Sequence, residues 1–346
     1  MRAETRSTED RLVAELIERT SGAADEAAAR DAYRDAFSRL RSQLDMYPVS
    51  GQPASAVFES AAATARNLAA SCLPLGIAVA MHLYPLCVLQ CIPLPLLSLA
   101  RFQRAMLLRT IRHRSLILAN AGSERTRATE HSVVARQDAD GLQIDGTFEY
   151  MSLATVADVV FFKAPLEDGH GTALCAADLR ADTVRIGGWK FSGSMRLSDT
   201  SSVTFAGHRV PQGRYVLAPD NEALRCTSDY QRCWFHLFLV EMYLARLERL
   251  HQVRGLRRPA DQIVSLNELS RLREYALRLL DDVSAGADIQ PLTKTTSAMK
   301  LRVSLMVQAA MSLLRGPEDL SELRYIKSQP TADEVILRGL GVVSQV

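Results

Sequence analysis

Between Gly188 and Pro211 the sequence reads GWKFSGSMRLSDTSSVTFAGHRVP. Ser192, Ser194, Ser198, Thr200, Ser201, Ser202 and Thr204 fall within thirteen residues there, beside Trp189 and Arg196. A hydroxyl both donates and accepts a hydrogen bond without adding a fixed charge. Such a set suits two tasks, and the residues alone leave both open: a cradle for a polar, uncharged ligand, or hydroxyl ladders on a twisted sheet. A second chemically loaded position is Glu241, which interrupts the apolar run WFHLFLVEMYL. An ionised carboxylate on an apolar face is costly unless paired, and Arg246 and His236 are the nearest candidate partners. His82, inside AMHLYP, is a polar group on an apolar helix, where a core histidine with both ring nitrogens satisfied is the expectation.

Composition narrows the class. The 346 residues carry 41 Lys and Arg against 39 Asp and Glu, a formal charge of +2. That balance gives no clustered basic face for nucleic acid. The six cysteines, Cys72, Cys87, Cys91, Cys175, Cys226 and Cys233, form no CxxC pair and no zinc spacing. They read as reduced core thiols of a cytoplasmic protein. The amino-terminal segment MRAETRSTEDRLVAELIERT is charged and amphipathic and is not expected to be a signal peptide. Residues 73–100 contain no Asp, Glu, Lys or Arg and are long enough to cross a bilayer. They also hold Pro74, Pro85, Pro93 and Pro95. Each interior proline costs a helix about 3 kcal/mol, so the expectation is two buried helices joined by a proline-rich turn, and no membrane span.

The elements that position these residues follow from periodicity. Residues 1 to about 118 show apolar spacings of three and four, with a break between Pro48 and Pro53, and read as a helical domain. Residues about 119 to 215 alternate, in HSVVARQ and GLQIDGTFEYMS, and the turns DADG, DG and EDGHG punctuate them. That pattern marks a β-domain of antiparallel strands. Residues about 216 to 346 return to helix and read as a carboxy-terminal bundle. The fold class is therefore α+β, with one β-unit between two helical ones. The cleft between such units is where small ligands bind.

Three groups of residues give this chain a resemblance to the acyl-CoA dehydrogenase superfamily over roughly residues 60 to 345. LANAGSER places Ser123-Glu124 where the family has a Thr-Glu or Ser-Glu pair; GTFEYMSLATVADVVFFKA supplies Gly146, Phe148, Tyr150, Ser152 and Ala157-Asp158; the hydroxyl-rich stretch supplies Trp189, Ser194-Met195-Arg196, Ser198, Thr200 and Val210-Pro211. GTFEYMS resembles the hydroxylase-like branch at least as well as the dehydrogenase branch. The resemblance implies a flavin, FAD by default and FMN as the alternative. It puts Ser123, Tyr150 and Ser152 at the ring, an aromatic residue over one ring face, Ser198 and Thr200 near the phosphates, and Trp189 among the cofactor-binding residues. Homodimers or homotetramers are the implied assembly.

The chain also departs from the family. Aligned on Arg324, the catalytic Glu position is Leu323, and the usual Arg-Asp pair is Lys327-Ser328. Asp229 and Glu241, near the start of the first carboxy-terminal helix, are the substitute candidates for a base. VRGLRRPADQ retains Arg254 and Gln262 of a cofactor-gripping motif without its Phe-Gly. Three functions are compatible with this pattern. The first is a flavin-dependent oxidoreductase acting on a specialised substrate, held on CoA or on a carrier protein. The second is a flavin monooxygenase fed with reduced flavin by a partner reductase, which needs no α-proton base. The third is a descendant that has lost the flavin.

Overall fold

In a computed structural model, the structure describes residues 2–48, 52–93, 99–121, 133–169, 171–218, 221–255, 260–313 and 323. Helices come first: α1 (Arg2–Ser21), α2 (Glu26–Arg41), α3 (Ala54–Ser71), α4 (Leu73–Cys91) and α5 (Leu99–His113). Eight strands follow, β1 (Leu118–Asn120), β2 (Val133–Asp138), β3 (Gly141–Met151), β4 (Val159–Pro165), β5 (Thr172–Asp178), β6 (Val184–Trp189), β7 (Ser201–Pro211) and β8 (Tyr215–Ala218). A short 3-10 helix, Gly193–Ser198, separates β6 from β7. The long helices α6 (Asn221–Arg254), α7 (Ala260–Ser284) and α8 (Gln290–Leu313) close the described chain.

The strands form two four-stranded sheets, ordered β1-β4-β5-β8 and β2-β3-β7-β6. All pairs are antiparallel except β1 with β4, where Leu118 stands beside Val159. Alternation explains the layering. Val160, Phe162 and Ala164 of β4 point to one face and are buried. Phe162 meets Phe148 of β3 at 5.2 Å and Phe205 of β7 at 5.5 Å between ring centroids, joining the two sheets through an aromatic cluster.

The apolar segment is a core helix. Sixteen consecutive residues of α4, Leu73 to Val88, are buried. Gly76 lets α3 approach: a Cβ there would lie 2.8 Å from Ala69 Cα. Contrary to the sequence expectation, α4 runs through Pro85 as one helix. The proline penalty of about 3 kcal/mol is outweighed because burying each neighbouring Leu, Val or Met side chain contributes about 1.5–3 kcal/mol. His82 is the satisfied core histidine expected. Its Nδ1 accepts from the Leu118 amide at 2.9 Å, so Nε2 carries the hydrogen and donates to the Met46 carbonyl at 2.9 Å. One neutral ring thus ties α4 to β1 and to the segment following α2. Burial pushes its pKa down to about 4. Five cysteines, Cys72, Cys87, Cys91, Cys175 and Cys233, are free thiols, four of them buried.

Candidate functional site

The carboxy-terminal end of β3 turns a large aromatic outward. Tyr150 is 48% exposed, while its neighbours Met151 and Ser152 are buried. The Tyr150 ring stacks on Phe191 at 6.1 Å, with the Lys190 ammonium 5.8 Å from its centroid. Lys190 is itself paired with Glu149 at 2.6 Å. The edge therefore offers a flat apolar surface beside a balanced charge pair, on which a planar ring could stack.

Behind this edge lies the hydroxyl-rich stretch, and it points inward. Ser152 Oγ is 3.0 Å from Thr200 Oγ1, which is 2.8 Å from Ser198 Oγ, which donates to the Met195 carbonyl at 2.8 Å. The chain bends at Asp199, a fully buried residue with φ of 49°. This left-handed conformation is uncommon outside glycine, and Asp tolerates it better than most residues. The Asp199 carboxylate accepts from the Trp189 indole at 2.9 Å and from the Thr155 amide at 2.8 Å. Burial raises its pKa, against the pull of those donors and of the Arg30 charge. Its own carbonyl accepts from the Ala154 amide at 3.1 Å. Asp199 thereby fixes the turn that follows Ser152.

Trp189 is enclosed by the chain itself. The guanidinium carbons of Arg30 and Arg196 stand 5.6 Å and 5.8 Å from its ring centroid, and Tyr33 meets it edge-on at 6.4 Å. Its amide donates to Glu26 at 2.7 Å. Arg30 also donates to the Gly187 carbonyl and, at 3.2 Å, to Ser201, while Tyr33 donates to the Leu197 carbonyl at 3.1 Å. Helix α2 is thus clamped onto β6, β7 and the 3-10 helix at the place where the resemblance put the phosphates. Ser198 and Thr200 are buried and satisfied by other hydroxyls, which leaves neither open to a phosphate.

The carboxylates are also committed. Glu241 is buried and paired with Arg66 at 3.0 Å and with Arg273, which in turn holds Glu59 at 2.7 Å. These partners come from α3 and α7. Neither Arg246 nor His236 is among them: Arg246 donates to the carbonyls of Ala70 and Ser71 at 3.1 and 3.3 Å. Asp229 is buried one turn from Arg232 and paired with it. Close by, Lys163 of β4 donates to Ser228, and burial pushes its pKa down to about 8, against the charge of Asp229.

The structure gathers Ser152, Ser198, Thr200 and Trp189 about Asp199 and sets Tyr150 at the exposed edge beside Phe191 and Lys190. It keeps Asp229 and Glu241 apart from them, on α6. Arg254 is exposed in the last turn of that helix. Leu323, at the expected Glu position, is buried. Ser123, Glu124, Arg324, Lys327 and Ser328 lie outside the described residues. Sequence reasoning passed over Asp199 and Lys163. A signal for Asp199 existed: it is the one carboxylate inside the hydroxyl run.

No family model and no curated protein matches the chain. Solved structures do match along nearly its whole length. FMN-bound TdsC from Paenibacillus sp. A11-2 is 17% identical, with a TM-score of 0.63 over 99% of this chain and 96% of that one. The methanesulfinate monooxygenase MsuC from Pseudomonas fluorescens is 16% identical, with a TM-score of 0.65 over 97% and 95%. KijD3, in complex with FMN and a dTDP-linked amino-keto sugar, is 18% identical, with a TM-score of 0.62 over 98% and 94%. The chain has the acyl-CoA dehydrogenase-like fold.

Proposed function

We propose that this protein is a flavin-dependent monooxygenase that takes reduced FMN and oxygenates a small molecule. The observation that carries the choice of oxygenation over desaturation is the state of the carboxylates. Glu241 is held by two guanidinium groups and Asp229 by a third. Removal of an α-proton needs a carboxylate free to receive it; oxygenation makes no such demand. Glu241 is therefore read as a structural charge joining three helices. Bound reduced flavin supplies the electrons that activate oxygen.

Tyr150 and Ser152 would hold the ring, the first by stacking and the second by hydrogen bonding. A mononucleotide is favoured by the FMN that TdsC and KijD3 hold; its phosphate would be held away from Ser198 and Thr200, which are engaged with each other. The substrate class follows those two structures as well, which hold indole and a nucleotide-linked sugar. A separate reductase is the implied source of reduced flavin.

The test has two stages. The purified protein is titrated with FMN and with FAD, and binding of FMN in preference to FAD is expected. Oxygen consumption is then followed with reduced FMN and a panel of aromatic and sugar substrates. Substrate oxidation that proceeds without oxygen, in the presence of an electron acceptor, would show the protein to be a dehydrogenase.

A further inference from the structure

Helix α6 has a polar face that the proposed flavin chemistry leaves unused. Ser228, Asp229, Arg232 and His236 recur along it. At about 3.6 residues and 5.4 Å per turn they fall within an arc of about 100° and span about 12 Å of the axis. To one side of the arc, Phe235 packs on Tyr84 of α4 at 5.6 Å between ring centroids. To the other, Cys233 Sγ lies 3.5 Å from Thr293 Oγ1 of α8. Lys163 reaches the arc from β4 and donates to Ser228.

The charges on this face are unevenly matched. Asp229 is taken by Arg232. Lys163 is half-buried and makes no ion pair among the described residues; the partner it has is a neutral hydroxyl. Two cations and one carboxylate leave one positive charge in excess. His236 lies deeper, 3% exposed, and its Nδ1 has no hydrogen-bond partner among the described residues. A buried nitrogen left unpaired is costly. Burial, Lys300 and Arg232 together push the His236 pKa down to about 3, so the ring is neutral and keeps one N–H to give. The charges that oppose a second proton on the ring favour an acceptor oxygen beside it. A water would satisfy the nitrogen and leave the excess charge unmatched. An anion that also carries an acceptor answers both. Lys300 has partners of its own and does not enter this balance.

We propose that this face of α6 binds a small organic acid, its carboxylate held by Lys163 and Arg232, with a carbonyl or hydroxyl oxygen of the same molecule accepting from His236 one turn further in. The site itself does not depend on flavin; identifying the acid as the substrate to be oxygenated rests on the flavin-dependent function proposed above.

The probes are 4-oxopentanoate, which has both groups, pentanoate, which lacks the carbonyl, and 4-oxopentanamide, which lacks the charge. Calorimetric titration of the full chain without flavin should show the oxo acid binding about tenfold more tightly than either, the scale of one hydrogen bond to a charged or buried group. Lys163→Met should remove the preference for the acid over its amide and keep the preference for the carbonyl. His236→Phe should do the reverse. Thermal melts establish that both variants are folded. If His236→Phe does not fold, the wild type decides by NMR. The chain has five lysines, and in lysine-labelled protein the Lys163 side-chain signal should move with the oxo acid and stay still with the amide. Failure of the oxo acid to bind at millimolar concentration, equal binding of acid and amide, an unaltered preference in either folded variant, or an unmoved Lys163 signal overturns the inference. Each of these leaves the flavin-dependent function standing, because no flavin is present; that function falls only with the separate FMN titration.

Discussion

Glu241 offers the sharpest separation between a structural and a catalytic carboxylate. Replacing it with Ala leaves Arg66 without its 3.0 Å partner and Arg273 with Glu59 alone. Removing one member of a buried ion pair costs about 3–5 kcal/mol. Here the guanidinium side chains are 42% and 24% exposed, so water compensates part of the loss. Arg273 also keeps a carboxylate. A discounted figure of about 2 kcal/mol follows. At roughly 2 °C per kcal/mol for a chain of this size, melting should fall by roughly 4 °C. Glu241→Gln keeps the volume and one acceptor and should lose about half as much. The assay is urea unfolding followed by circular dichroism, with a double-mutant cycle between Glu241→Gln and Arg273→Gln to isolate the pair. The structural reading also requires the folded variant to bind FMN as the wild type does and to retain turnover. Stability within about 0.5 kcal/mol of wild type, combined with abolished turnover, would refute the reasoning and restore Glu241 as a base.

Three further outcomes are expected. Asp199→Ala strands the buried Thr155 amide and the Trp189 indole, and at about 1–3 kcal/mol for each unsatisfied donor it should destabilise the protein by about 3 kcal/mol and alter Trp189 fluorescence; unfolding curves and emission spectra check this. Stability should fall as pH drops from about 6.5 toward 4, because His82 is held at about 4 when folded, below its unfolded value, so the unfolded chain binds the extra proton first. His236, pushed down to about 3 by burial and by the charges of Lys300 and Arg232, acts in the same direction, and melts at successive pH values with His82→Gln as comparison measure the His82 share. Gly76→Val would drive a Cβ to 2.8 Å from Ala69 Cα, forcing α3 from α4 at a cost of about 3 kcal/mol in melting experiments.

What the sequence disclosed and what it concealed divide along a physical line. Local alternation in HSVVARQ and GLQIDGTFEYMS exposed β2 and β3, while Tyr150 and Ser152, at the end of β3, were marked by the family resemblance. The partners of Glu241 were hidden because Arg66 and Arg273 stand 175 and 32 residues away, and no pattern along the chain encodes which helices meet. The continuity of α4 through Pro85 was hidden for a related reason: helix propensity is local, whereas the burial that overrides it is tertiary. The hydroxyl run is the most instructive. Its residue types announced a polar device, but its direction depends on one left-handed residue, Asp199, which turns the hydroxyls on either side of it toward the interior. Once they face inward, a single carbonyl at Met195 dictates the proton order of all three. Residue types announce the hydroxyls, whereas the folded backbone decides that they bond first to one another and to the Met195 carbonyl.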